Sequence, residues 1–151
     1  MNTHWILFLC SGNYYRSRMA EEYFNARARE LRIDWRADSR ALVPDLNSLG
    51  NVGSMSSYAR RMLEKAGVHI NKGNRYPLSV SESDLSDAEI VIALSRTEHQ
   101  EMFADLHPQH YNEARFWDVE DIDLEAPDDA FDKVVKHTEA LLRELGGLTR
   151  R

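Results

Sequence analysis

The chain has 151 residues, of which 42% are hydrophobic and 29% are charged, a balance typical of globular proteins, and we expect one domain over residues 1–151. The formal net charge of −6 provides no basic field for nucleic acid, and the longest apolar run, Trp5 to Cys10, is far shorter than the roughly 20 residues that span a bilayer. A single cysteine excludes an internal disulfide framework and, with no leader segment in front, predicts a cytoplasmic protein.

The N-terminal segment predicts a strand, a tight loop and a helix. Residues 4–9 are apolar without alternation, the pattern of a buried parallel strand. From Arg16 onward, apolar residues recur at helical spacing among charged ones. The connecting loop contains Gly12 and Asn13, which both tolerate positive φ, so its successive N–H groups can converge in front of the helix. We therefore expect an anion site of the kind that binds phosphate.

Cys10 ends the strand at the edge of this loop. The loop amides and the Arg16 guanidinium would stabilise negative charge on its sulfur, and the Ser17 hydroxyl could donate a further hydrogen bond. The planar fork of Arg16 suits two oxygens of a phosphate. The alternative is that Cys10 is a small, inert core residue. The combined context favours in-line attack of sulfur on phosphorus.

The rest of the chain alternates between strand and helix patterns. In chain order we predict a strand within 33–43, a long loop over 44–55, a helix capped by Ser56 and running to about Ala66, an irregular segment over 71–77, a short helix starting at Ser81 or Ser83, a strand over 88–94, a helix over 96–106, a strand from Tyr111 to Trp117, and a long helix ending at Gly146-Gly147. This alternation indicates a parallel sheet with helices on both faces.

An acidic stretch, residues 118–125, follows the last predicted strand. Cleavage of a phosphate ester needs a group that gives a proton to the leaving oxygen, and a carboxylate in a loop fits that task. Asp118, Asp121 and Asp123 are the candidates at this point. The stretch would also complement the dipole of the helix that follows.

The N-terminal loop resembles the signature loop of the low-molecular-weight protein tyrosine phosphatases, in which Cys, any residue, Gly, Asn, two variable residues, Arg and Ser follow one another. Residues 85–94 are similar to the central segment of that family. The resemblance implies a flavodoxin-like three-layer sandwich with about four parallel strands. It also implies hydrolysis through a cysteinyl-phosphate on Cys10, with Arg16 clamping a phosphate bound by Ser11, Gly12, Asn13, Tyr14, Tyr15, Arg16 and Ser17.

The same resemblance nominates Asp121 as the general acid and base. The acid of the family lies in a Val-any-Asp-Pro loop, which aligns with residues 119–122, although Ile122 replaces the proline. Two further departures concern the signature loop. Tyr15 stands where the family commonly has a second, protective cysteine, and Arg18 stands where it often has proline. Protection of Cys10 by an internal disulfide is therefore excluded.

Three functions remain open from the sequence. The first is a phosphatase that acts on a phosphorylated protein or a small phosphomonoester and releases inorganic phosphate. The second is an arsenate reductase that depends on an external thiol, and the third is a non-catalytic binder of phosphate or phosphoproteins. We expect no cofactor and no metal, because His99 and His107 have no second ligand pair at metal spacing. Arg75, in a loop, is expected to be solvated.

Overall fold

The computed structural model describes residues 3–149, and its centre is a four-stranded, all-parallel sheet in the order β2-β1-β3-β4. The strands are β1 (His4–Cys10), β2 (Trp35–Ala41), β3 (Ile90–Ala93) and β4 (Ala114–Phe116), and the helices are α1 (Arg16–Leu31), α2 (Ser57–Lys65), α3 (Glu82–Asp87), α4 (Arg96–Leu106) and α5 (Pro127–Thr149). This architecture confirms the predicted flavodoxin-like α/β fold.

Side chains of β1 alternate between two cores, one on each face of the sheet. Ile6 and Phe8 belong to the larger core, which α1, α2 and α5 cover. Leu7 and Leu9 belong to the smaller core beneath α3 and α4. Because both faces are buried, the strand has no polar positions between residues 6 and 9, which explains its continuous apolar run.

The strand order places a crevice at the carboxyl edge of the sheet. The chain leaves β1 toward β2 on one side, and β3 lies on the other side, so the loops after these strands diverge from each other. Ligands of open α/β sheets bind where the strand order reverses in this way. The loop after β1, the start of α4 after β3 and the acidic segment after β4 all lie at this edge.

Two predicted boundaries were wrong. Only Ala114–Phe116 of the predicted 111–117 strand is extended, because a 3-10 turn over Pro108–Glu113 precedes it and turns the Tyr111 ring toward Phe103. The last helix continues to Thr149 instead of ending at Gly146-Gly147. Each glycine lowers helix stability by about 1 kcal/mol relative to alanine. The adjacent Leu145 is buried in the larger core, and this packing supports the helix there.

The predicted helix caps are confirmed. Ser56 accepts hydrogen bonds from the amides at the start of α2, and Ser81, one of the two predicted starting residues, forms a capping box with Asp84 at the start of α3. Within residues 3–149, no helix combines the length and the apolar character needed to cross a bilayer.

Candidate active site

The backbone amides of the loop from Ser11 to Tyr15 are available to a ligand. Within the part of the chain that the structure describes, no protein group accepts a hydrogen bond from these five amides. Tyr15 is the N-cap of α1, and no side chain caps this helix end. Unpaired amides at a helix N-terminus attract an anion, so the loop has the form of an oxyanion cradle.

Asn13 holds the loop in its curled shape. Its φ of 52° lies in the left-handed region, which Asn tolerates better than most residues. The buried side chain is fixed on both sides: Oδ1 accepts from Arg75 (3.0 Å) and from the Leu78 amide (3.2 Å), and Nδ2 donates to Ser17 and Ser39 (2.9 Å each). Asn13 therefore supports the cradle from below.

Gly12 lies close to two side chains of the loop after β2. A Cβ at this position would lie 2.9 Å from Leu49 Cδ1 and 3.2 Å from Asn51 Nδ2. The ends of these two side chains would have to shift to accept a larger residue.

The sulfur of Cys10 lies at the cradle, 3.1 Å from Ser17 Oγ. Because Asn13 Nδ2 already donates to this oxygen, the hydroxyl hydrogen of Ser17 is free to point at the sulfur. Cys10 and the loop residues line a cavity of about 310 Å³. The structure thus brings the predicted nucleophile and the predicted anion site together.

Arg16 enters the same cavity, but its guanidinium already has a partner. Its Nη1 and Nη2 donate to the two carboxylate oxygens of Glu98 at 3.0 and 2.9 Å, and Nη1 also donates to the Val119 carbonyl at 3.2 Å. Arg16 is only 2% exposed. Burial alone would lower the pKa of this guanidinium, but the hydrogen bonds and charge of Glu98, with other nearby negative charges, raise it overall.

Glu98 is held on its other side by the loop and by α4. It accepts from the Ser11 hydroxyl, and His99 Nε2 lies 3.2 Å away. His99 Nδ1 accepts from the Ser95 amide (3.1 Å), so Nε2 carries the hydrogen of the neutral ring. Burial would raise the pKa of the Glu98 carboxyl, but the hydrogen bonds from His99, Arg16 and Ser11 and the charge of Arg16 hold it well below its usual range.

The three acidic candidates occupy different places. Asp121 lines the cavity beside Ile122, and its Oδ2 lies 3.6 Å from Arg16 Nη2. Asp118 instead pairs with His137 at 2.6 Å, and Asp123 is exposed and does not line the cavity. Of these carboxylates, the geometry associates Asp121 with the predicted nucleophile.

The two tyrosines of the loop have separate roles. Tyr14 donates its hydroxyl to the Val52 carbonyl at 2.6 Å and so connects the cradle to the loop after β2. Tyr15 packs into the larger core and is 6% exposed, and its hydroxyl has no hydrogen-bond partner within residues 3–149. Burial, reinforced by the charge of Asp121, raises the pKa of Tyr15 to about 12.

The expectation of a solvated Arg75 was wrong. This side chain is 20% exposed and donates to Asn13 and to the Ser39 hydroxyl (2.9 Å), and its Nη2 lies 3.3 Å from Glu21. Loop composition alone did not reveal this, because the partner Glu21 is a buried acid on α1 that only the fold brings close.

Sequence analysis also missed Glu98. Ser95 and Glu98 have the spacing of a capping box, in which the glutamate turns back to the amide of the serine. Here His99 takes that amide, which leaves Glu98 free to reach Arg16. The signal in the sequence was the histidine next to the glutamate. Within residues 3–149, no cluster of three or more His, Cys, Asp or Glu side chains has the geometry of a metal site.

A family of known proteins matches nearly the whole chain. Residues 5–149 match the sequence profile of the family described as low molecular weight phosphotyrosine protein phosphatase. The chain therefore belongs to this family, whose members are phosphatases and thus hydrolases. No curated protein matches the chain significantly.

Solved structures share the fold over nearly the whole chain. A low molecular weight protein tyrosine phosphatase from T. tengcongensis is 28% identical, with a TM-score of 0.79, and the alignment covers 95% of this chain and 100% of that one. Wzb from Vibrio vulnificus, in complex with benzylphosphonate, is 14% identical (TM-score 0.78, 95% and 100% covered). A mutant of the YwlE arginine phosphatase, a Bacillus subtilis protein, with a phosphorylated active-site serine is 19% identical (TM-score 0.77, 94% and 95% covered).

The Arg16–Glu98 pair predicts how stability responds to acid. Because the folded-state pKa of Glu98 lies below the unfolded value of about 4.3, its contribution is complete above that pH and is lost as pH falls toward the folded value. We expect Glu98→Gln to lower the free energy of unfolding by about 1–3 kcal/mol at pH 7, and the gap from wild type to narrow below about pH 4. Urea unfolding of wild type and variant between pH 3 and pH 7 measures this difference in the free energy of unfolding. A gap that stays constant through pH 3 would contradict this assignment.

Proposed function

We propose that this protein hydrolyses phosphomonoesters through a cysteinyl-phosphate on Cys10. The observation that carries the proposal is that Cys10 directly precedes five amides without an acceptor among residues 3–149 and lines one cavity with Arg16 and Asp121. A nucleophile, an oxyanion site and a proton donor thus face the same space.

In the first step, the amides of residues 11–15 and the guanidinium of Arg16 bind the phosphate oxygens. The Cys10 thiolate attacks phosphorus, an S–P bond forms, and the P–O ester bond breaks. Asp121 gives its proton to the departing oxygen, which leaves as an alcohol or a phenol. The amides also stabilise the charge that builds up on the equatorial oxygens.

In the second step, the Asp121 carboxylate takes a proton from water. The water oxygen attacks phosphorus, and the S–P bond breaks to release inorganic phosphate and the thiolate. The hydroxyl of Ser17, oriented by Asn13, stabilises the sulfur as it leaves. Asp121 ends this step protonated and ready for the next turnover.

The rim of the cavity favours a phosphorylated protein as the substrate. Many of the large apolar side chains exposed within residues 3–149 lie near the cavity. Leu49, Tyr58 and Ile122 line it, Tyr76 lines a second cavity that also reaches Gly12, and Val52 and Leu124 lie in the same loops as Leu49 and Ile122. Exposed apolar patches around a site mark contact with a macromolecule. The ester cleavage described above fits phosphotyrosine, whose leaving group is a phenol; phosphoarginine, the substrate class in the name of the YwlE neighbour, would instead require cleavage of a P–N bond with the proton delivered to nitrogen.

The first test is turnover of p-nitrophenyl phosphate in the presence of EDTA. We expect phosphate release by wild type and none by Cys10→Ser, because the hydroxyl of serine is a far weaker nucleophile here than the thiolate. Leu106→Ser, a change on exposed α4 surface, is the matched control and retains wild-type activity. Arsenate consumption with an external thiol and no phosphate release would instead indicate a reductase, and tight phosphate binding without turnover would indicate a binder.

The second test separates the acidic candidates. We expect Asp121→Asn to reduce kcat about 10²–10⁴-fold for phenyl phosphate, because the leaving phenoxide then has no proton donor. The loss is smaller for p-nitrophenyl phosphate, whose leaving group needs less protonation. Asp118→Asn and Asp123→Asn serve as controls and change kcat by less than about threefold. Equal losses on both substrates would remove Asp121 from the acid role.

The third test concerns the apolar rim. We expect Leu124→Ser and Val52→Ser to reduce kcat/KM about 3–10-fold each for a phosphotyrosine peptide with leucine on both sides of the phosphotyrosine, because apolar contact area is lost. The same variants leave kcat/KM for p-nitrophenyl phosphate within about twofold of wild type. Leu106→Ser, on α4, is again the control. An equal loss of kcat/KM on both substrates would contradict this, because it would show that these residues affect the catalytic site and not the binding of the peptide.

A further inference from the structure

We propose that Glu98 is a positioning residue that sets the orientation of Arg16 for in-line attack on phosphorus. The inference rests on the proposed function, because it assigns to Arg16 the task of binding the transferred phosphoryl group. Nothing in the comparisons with known proteins assigns a role to this carboxylate.

Glu98 occupies one of the two edges of the Arg16 guanidinium. An arginine has an end-on edge, formed by Nη1 and Nη2, and a side-on edge, formed by Nε and Nη2. Glu98 takes the end-on edge with two bonds of 3.0 and 2.9 Å. Within residues 3–149, no protein acceptor is bonded to Nε of Arg16. The side-on edge therefore remains for a ligand in the cavity.

Glu98 also bonds to the cradle itself. The hydroxyl of Ser11, the first residue of the loop, donates to the same carboxylate that accepts from Arg16. One side chain thus connects the two parts of the oxyanion site, the amide loop and the guanidinium. Their relative position follows from the geometry of a single carboxylate.

The carboxylate in turn is fixed by the start of α4. His99 is fully buried, and its Nδ1 accepts from the Ser95 amide, so Nε2 carries the hydrogen; the Nε2 nitrogen lies 3.0 Å from Ser11 Oγ and 3.2 Å from Glu98 Oε2. The bidentate pair leaves little rotational freedom to Arg16, whose guanidinium also donates to the Val119 carbonyl. Such preorganisation lowers the barrier to reaction, because no reorientation is needed during attack.

A competing role for Glu98, as a rival of phosphate for Arg16, predicts the opposite change in oxyanion affinity. If Glu98 competed with phosphate for Arg16, removing its charge would tighten oxyanion binding. If Glu98 orients Arg16, removing it lets the guanidinium turn away and weakens binding of an oxyanion in the transition-state geometry. The sign of the change in affinity separates these roles.

The test uses Glu98→Gln, which keeps the shape of the side chain and a residue suited to the third helical position of α4. The control is Glu101→Gln, an exposed glutamate on the same helix. Binding of orthovanadate, which adopts a five-coordinate geometry on a thiolate, is measured by calorimetry and needs no turnover. Thermal melts establish the temperature at which both variants are folded.

We expect Glu98→Gln to bind vanadate about 10–100-fold more weakly and to lose kcat by a similar factor, with KM raised at most about threefold, because a displaced guanidinium affects the transition state most. Glu101→Gln behaves as wild type. Vanadate affinity that is unchanged or tighter in the folded variant would overturn the proposal, as would a loss confined to KM. Absence of turnover in wild type would refute the proposed function, whereas the vanadate measurement would still decide the role of Glu98.

Discussion

The conformation of the loop after β1 is the constraint on which the site depends. Five consecutive amides without hydrogen-bond acceptors among residues 3–149 would be costly in most loops, because buried or half-buried donors need acceptors. They are tolerated here because Asn13 adopts the left-handed conformation and is anchored through its side chain to Ser17, Ser39 and Arg75. Side-chain hydrogen bonds of Asn13 therefore hold the loop in place of backbone hydrogen bonds.

The site is surrounded by charges that are already paired in the free protein. Arg16 is bonded to Glu98, and Arg75 to the buried Glu21. Buried arginines with such partners keep their orientation, since the alternative is an uncompensated charge in a poorly solvated place. The amides of the loop and the Arg16 guanidinium are therefore held in place before an anion arrives.

The sequence predicted the scaffold of the site better than its details. The strand, loop and helix around Cys10 could be predicted because each depends on local pattern: the apolar run, the Gly12-Asn13 turn and helical periodicity. Arg75 and Glu98 could not be assigned in this way. Their partners lie far away along the chain, and only the parallel sheet brings the segment after α2 and the start of α4 to the loop after β1. The short β4 was misjudged because the ring of Tyr111 packs from a turn and not from a strand.

Arg18, at a position where the signature loop of the family often has proline, connects the cradle to the segment before Arg75. Its guanidinium donates to the carbonyls of Ser54 (2.9 Å) and Lys72 (2.8 Å), and Glu22 accepts the amides of residues 71 and 72. These contacts are polar, but both side chains are themselves buried on α1. Because Arg18 and Glu22 lie on the helix that begins directly after the loop, one helix keeps that loop and the Arg75 segment in a fixed relative position.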